Sequence, residues 1–343
     1  MAVAVIEIND SGIGVSRGEG LLLESPGCAV LGERKVLVGE EALRHARLYP
    51  RRANDLFWSR LDQTPLDNPV PQARSFADVA YLHLREVVQS AGLDAGDQVV
   101  FAVPGTFERE QLALLLGIAQ ACSLEVLGIV DSAVAAAAAA AAAAPLPERV
   151  LHLDLQLHQA AITSLRAGGA ALLREEVVQV GGSGLARALD ALVRLAGDLF
   201  VRETRFDPLH SAEAEQSLTD NLRLQLAELA QSPGIPVSVS AGRRLHRVTL
   251  PRELVIERLR PELSALVQRA RELAGGAALL LLSHRLARLP GALSAFELGA
   301  ASRPLPADAA AVGALTALPQ LAASGPEAQG LPFVTSLAVE AHN

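Results

Sequence analysis

The sequence predicts an α/β protein of two related lobes, in which alternating strands and helices imply parallel sheet with crossover helices. Three observations lead there. Apolar residues switch repeatedly between a two-residue period and a helical one along most of the chain. The strand and helix order then begins again near residue 149, so two halves of similar order follow one another. The length of 343 residues exceeds the roughly 100–200 residues of one ordinary domain.

In order, "AVAVIEI" and "GIGVS" read as two strands joined by the turn "NDSG". "KVLVGEEALRHARLYP" is a strand edge running into a helix that Pro50 follows. "ADVAYLHLREVVQSAG" has helical spacing and stops at Gly92. A buried strand "QVVFAVP", a helix "TFEREQLALLLGIAQAC", a strand "LEVLGIV" and a helix "SAVAAAAAAAAAA" come next. Alanine has the best helix propensity and lets neighbours pack closely, so the alanine run is read as a packed helix crossing between the lobes. The second half opens with "RVLHLDLQLHQAAITSL" and "ALLREEVVQV" as strands and "GGSGLARALDALVRLAGDLF" as a glycine turn feeding a helix. A helical stretch "LTDNLRLQLAELAQ", short strands "IPVSVSA" and "HRVTL", and the helix "RELVIERLRPELSALVQRARELA" follow. The strand "AALLLL" and a helical segment around "DAAAVGALTAL" complete the reading.

Half of the residues are hydrophobic, enough for a sizeable aliphatic core, while only 3% are aromatic. A net charge of −8 argues against a general binder of nucleic acid or anionic membranes. Lys35 is the only lysine, so a site that needs a lysine has one candidate. Cys28 and Cys122 are too few for a disulfide framework or a zinc cluster, which makes a reducing cytoplasm the expected compartment. "MAVAVIEIND" lacks the basic start of a signal peptide, and the alanine run is shorter than the ~20 apolar residues of a spanning helix.

Local wording then meets a known family. "VVFAVPGTFEREQLALLLGIAQACSLEVLGIVDSAVAAA", "VLVGEEALRHARLYP", "VVQVGGSGLARALDALV" and "LLLLSHRLARLPGAL" resemble passages of the ATPase domain of the DnaK-type heat-shock chaperones, of the actin-like superfamily. The likeness is specific over Val99 to Ala137 and weaker elsewhere, and it leaves no length for that family's peptide-binding domain. It implies an actin-like, DnaK-type two-lobed ATPase fold, each lobe with a central mixed sheet flanked by helices. Lobe I would span residues 1–146, with a subdomain inserted at about 26–95, and lobe II residues 147–343, with one at about 202–268.

Such a site needs glycine-rich hairpins whose N–H groups meet phosphates, and carboxylates that hold the shell of Mg²⁺. The resemblance implies Asp131 and Asp154 as the equivalents of catalytic acids. It implies Asn9, Asp10, Gly12, Gly181, Gly182, Ser183, Gly184 and Ser232 as whatever nucleotide site remains. The first hairpin turn, Asn9-Asp10-Ser11-Gly12, is either a modified phosphate loop or a tight turn favoured by backbone angles alone. In the second, Gln156, Leu157, His158 and Gln159 stand where the family has glycines and threonine, and should fill the phosphate space. The lysine position falls near Ser59, with Arg60 the nearest cation. The adenosine helix aligns with Gln225, Glu228, Leu229 and Ser232, and the last adenosine loop reads Ser283-His284-Arg285-Leu286 without paired glycines.

Two other readings of "VGGSGLARAL" fail on spacing: Leu185 stands where a serine elbow needs glycine, and Arg187 where a dinucleotide loop needs its third. His152 and His158 have no acid or cysteine cluster with metal spacing, so no metal site is expected. The expectation is a non-hydrolysing protein-interaction or regulatory module, a pseudo-ATPase whose partner is another protein rather than nucleic acid or membrane. The alternative is a divergent chaperone-like ATPase that holds ATP and Mg²⁺ with substitute residues.

Overall fold

The computed structural model describes residues 3–18, 20–168, 171–275, 278–297, 301–323 and 333–339. The chain begins with three antiparallel strands, β1 (Ala4–Asn9), β2 (Gly12–Arg17) and β3 (Leu21–Pro26). A small sheet of β4 (Ala29–Leu31), β5 (Val36–Val38) and β6 (Ala53–Asn54) follows, with α1 (Gly39–Leu43) between its last two strands. The hairpin of β7 (Pro65–Val70) and β8 (Ala73–Ser75) leads into α2 (Phe76–Ser90), which Ser75 and Asp78 start with a capping box. Alternation then sets in: β9 (Gln98–Val103), α3 (Arg109–Ala121), β10 (Glu125–Asp131) and α4 (Ser132–Ala143).

The second half repeats the pattern with β11 (Arg149–Leu155), β12 (Ala160–Gly168) and β13 (Ala171–Val180), again antiparallel. Helices α5 (Leu185–Thr204) and α6 (Ala212–Gln231), the hairpin β14 (Gly234–Ala241) and β15 (Arg244–Pro251), and α7 (Arg252–Ala274) come next. After β16 (Leu279–Leu282) are the short helices α8 (His284–Ala287) and α9 (Ala292–Ala295) and the strand β17 (Ser302–Pro304). Helices α10 (Ala309–Thr316) and α11 (Leu318–Ala323) precede β18 (Phe333–Val334) and β19 (Ser336–Ala338).

Two mixed sheets of six strands result, flanked by helices as expected. Their orders are β18-β10-β9-β1-β2-β3 and β17-β16-β11-β12-β13-β19. The runs β3-β2-β1-β9-β10 and β13-β12-β11-β16-β17 match in order and in direction: three antiparallel strands, then two added in parallel beside the first. Residues 333–338 complete both sheets, β18 pairing with β10 and β19 with β13.

The core has three main parts. One lies under α2 and α3 and contains Phe57, Trp58 and Phe101; another joins α5, α6 and α7 to β11 and the β14–β15 hairpin. Between them, α4 and α10 pack against residues of both sheets, including Val5, Val100, Val150 and Leu281. The alanines explain that position: nine α4 residues are buried, and no side chain holds the neighbouring backbone away. At the closest approach a Cβ on Gly313 would stand 1.7 Å from the Ala135 carbonyl oxygen.

The helix expected to run to Pro50 is shorter. It stops at Leu43, and turns such as His45 N–H to Ala42 C=O carry the chain onward. Strands β3, β4, β6, β7, β8, β17, β18 and β19 lie outside the sequence reading; β3 is an edge with Leu21 and Leu22 exposed, and β6 and β18 have only two residues each. Gly313→Ala should lower stability by at least about 1–3 kcal/mol, the usual cost of overpacking, read as a lower urea midpoint. Gly117→Ala, in α3 with open space around the added methyl, should instead gain about 0.5–1 kcal/mol.

Candidate functional site

The site lies where the β1–β2 turn meets the β11–β12 turn. In the first, Asn9 pairs with Gly12 across a two-residue turn, and the Asn9 carboxamide oxygen accepts from Ser11 N–H at 2.8 Å and its hydroxyl at 2.6 Å. Gly12 is needed for packing: at φ 147° a Cβ would stand 2.2 Å from the Ser25 carbonyl oxygen. Asp10 is buried, and its carboxylate accepts the backbone N–H of Leu157 at 2.6 Å and of His158 at 3.1 Å. Burial pushes the Asp10 carboxyl above its usual range while these two donors pull it down.

The β11–β12 turn is held on its other sides as well. The His158 imidazole Nε2 lies 3.1 Å from the Asp55 carbonyl and 3.4 Å from its carboxylate, and the carboxylate draws the histidine pKa up. At the start of α5, Leu185 N–H donates to Gln156 C=O and Ala186 N–H to Leu157 C=O, both at 2.9 Å. Gly184 permits this contact, since a Cβ there would meet the Leu157 oxygen at 2.6 Å. The first two N–H groups of α5, at the end of the Gly181–Gly184 loop, are therefore given to the neighbouring turn. Gly181 and Gly182 are exposed, and the buried Ser183 hydroxyl donates to Glu262 C=O at 2.9 Å.

Beside the turns, Arg285 at the start of α8 reaches between the sheets. It is 2.8 Å from Glu7 of β1 and 3.4 Å from Asp154 of β11, with all three side chains at least 85% buried by exposures of 10%, 15% and 9%. Burial opposes the guanidinium charge, but Glu7 and Asp154 override it and raise the pKa. The Asn9 amide lies 3.5 Å from the second Asp154 oxygen. A cavity of about 20 Å³, lined by Glu7, Ser132, His152, Asp154, Ser283 and Arg285 among others, has room for about one water. Burial lowers the His152 pKa, against the pull of Asp154, Asp131 and Glu7.

Asp131 is fully buried and committed. One carboxylate oxygen accepts Ala133 and Val134 N–H to cap α4, and the other meets Arg174 of β13 at 2.6 Å. Farther out, Arg47 pairs with Asp190 and, at 3.4 Å, with Glu215; Arg223 meets Glu40 at 2.6 Å. Gln216 accepts Arg47 N–H and donates to Leu43 C=O, so the segment after α1 is tied to α5 and α6.

The remaining expected positions are not brought into this cluster. Ser232 is the C-cap of α6, its N–H bonded to Glu228 C=O, and Glu228 is exposed. Arg60 lies over the Phe76 ring, while Lys35 pairs with Glu41 at the surface. Sequence reasoning missed the role of Arg285, seeing only a lost glycine pair; a cation three residues past the wholly apolar strand Leu279–Leu282 was the available signal. It also missed a buried chain in which Trp58 N–H donates to His83 Nδ1 at 3.0 Å and His83 Nε2 stands 2.8 Å from the Ser25 hydroxyl. Because Nδ1 accepts, the neutral ring carries its proton on Nε2 and cannot serve Ser25 as a base. Among the described residues no group of three or more His, Cys, Asp or Glu could hold a metal.

Neither a family model nor a curated protein sequence matches this chain. Chemically, the cluster is a set of acids met by N–H donors and by the guanidinium groups of Arg285 and Arg174, while the buried Gln156 Nε2 has no hydrogen-bond partner among the described residues. Arg285→Met should leave Glu7 and Asp154 facing without a counter-charge, and cost about 3–5 kcal/mol in chemical denaturation at neutral pH. Burial lowers the His83 pKa from 6.5 to about 3, so the unfolded chain binds a proton that the folded one refuses in that interval. Stability should therefore fall as pH drops from 6.5 towards 3, with His152 adding to the slope, and His83→Gln should flatten it in pH-dependent urea titrations.

Proposed function

We propose that this chain has the actin-like, DnaK-type two-lobed ATPase fold with degenerate phosphate and adenosine loops, and acts as a non-hydrolysing protein-interaction or regulatory module. The repeated strand order supports the two-lobe part of this reading, each lobe being one sheet with its helices. The observation that carries the functional part is Asp10 accepting the Leu157 and His158 N–H groups. A carboxylate of the chain stands where the reading would put a phosphate, on the donors of the second hairpin.

The other positions point the same way. Asp131 and Asp154, the acids that would orient water and metal, are paired with Arg174 and Arg285. No lysine reaches the cluster, and the exposed Glu228 carboxylate lies on the helix assigned to adenosine. No helix among the described residues is long and apolar enough to cross a membrane, and the reading takes another protein as the partner.

Each lost charge-assisted bond to phosphate is worth roughly 1.5–3 kcal/mol, and about 1.4 kcal/mol is tenfold in affinity. Calorimetric titration with ATP and Mg²⁺ should therefore give no saturable binding below about 1 mM, with hydrolysis at background. Micromolar binding would overturn this reading in favour of a divergent ATPase.

A further inference from the structure

The β14–β15 hairpin forms a two-stranded sheet whose inner face packs on α5 and α6. Among the described residues nothing covers its outer face. Pro236, Ser240, Leu245, Arg247 and Thr249 are exposed there, with Leu245 at 59% exposure. The hairpin turns through Gly242-Arg243, where Gly242 is left-handed at φ 59°.

Arginines gather at this end of a protein whose net charge is −8. Arg243, Arg244 and Arg247 come from the hairpin, and Arg202 and Arg205 from the end of α5; all five are exposed. The two groups are adjacent because the Phe206 ring stacks on His246 with centroids 4.3 Å apart. Arg205 takes the left-handed conformation at the C-cap of α5, φ 59°, where glycine is the usual residue. Arg247 is steadied by its Nε–H donating to the Ser238 hydroxyl at 3.1 Å. The nearby acids are engaged: Glu203 lies 3.8 Å from Arg202, and Asp207 pairs with His210 at 2.7 Å. Among the described residues Arg205, Arg243, Arg244 and Arg247 have no ion pair.

We infer that this arginine-rich hairpin end is the docking surface for an acidic segment of a partner protein, seated against Leu245. The inference rests on the proposed interaction role and adds where, and to what chemistry, the chain binds. Charge complementarity selects the occupant. Screening at physiological salt limits the reach of a charge to about 8 Å, so a short acidic segment responds mainly to the local arginines. A long polyanion or an extended anionic surface also meets the negative remainder of the molecule. On β14 the Ser238 C=O already accepts from Asn221 Nδ2 of α6, so β15 is the edge on which an extended segment can add backbone hydrogen bonds to the ion pairs.

The test is fluorescence anisotropy with the full chain, without nucleotide, and a labelled synthetic peptide of alternating Glu and Leu, at about 50 and about 300 mM salt. Binding should weaken with salt and fall by roughly tenfold or more in Arg243→Glu/Arg244→Glu. Arg51→Glu/Arg52→Glu, with the same charge change at another exposed arginine pair, should shift it less than about twofold. Equal losses in both double variants, or no binding by the unmodified chain at the lower salt, overturn the inference. So does tighter binding of single-stranded DNA or phosphatidylserine vesicles through the same arginines. Because no nucleotide is present, failure here is distinguishable from ATP binding, which would overturn the pseudo-ATPase reading instead.

Discussion

A guanidinium held between two buried carboxylates fixes how the two sheets meet. Arg285 follows β16 of one sheet, Asp154 belongs to β11 of the same sheet, and Glu7 comes from β1 of the other. Removing three charges from water costs several kcal/mol per ion, recovered only while the geometry holds. A small separation of β1 from β11 would leave charges buried and unpaired. The other cross-links repeat the logic at lower cost: Asp10 on two N–H groups, Arg174 on Asp131, and Arg47 and Arg223 on the acids opposite them. Together they run from the hairpin turns to α5 and α6.

The alternation of apolar periods was legible wherever an element was buried on a continuous face. The strands around Val99–Val103 and Leu279–Leu282, the long helices and the alanine helix all came through, because burial writes itself into spacing. The exposed edge strand β3 and the two-residue strand β6 did not, since side chains that face water or too few residues cannot set a period. The segment after Leu43 failed for another reason: Arg47 and the residues beside it are placed by contacts with α5 and α6, which a local pattern cannot contain.

At the junction the sequence revealed loss but not replacement. Missing glycines at Gln156, Leu157 and His158 were plain. That Asp10 takes the freed donors depends on two turns separated by more than a hundred residues. Asp131, named there as a catalytic acid by resemblance, caps α4 and pairs with Arg174; the first contact is local to the strand–helix step and the second is tertiary. Arg285 is the clearest case, for only the fold brings Glu7, Asp154 and that arginine to one point.

The strands at residues 333–338 have a consequence for how the chain reaches this state. They pair with residues 129–130 in one sheet and 171–173 in the other, so β10 and β13 each wait for an edge partner made long after they are. On a ribosome that adds about 5–20 residues per second, β10 and β13 emerge many seconds before their edges can be covered. Until then each exposes a ladder of unpaired backbone groups, the kind of edge that recruits foreign strands. The newborn chain is thus most open to misassembly, or to help from chaperones, late in its synthesis rather than early.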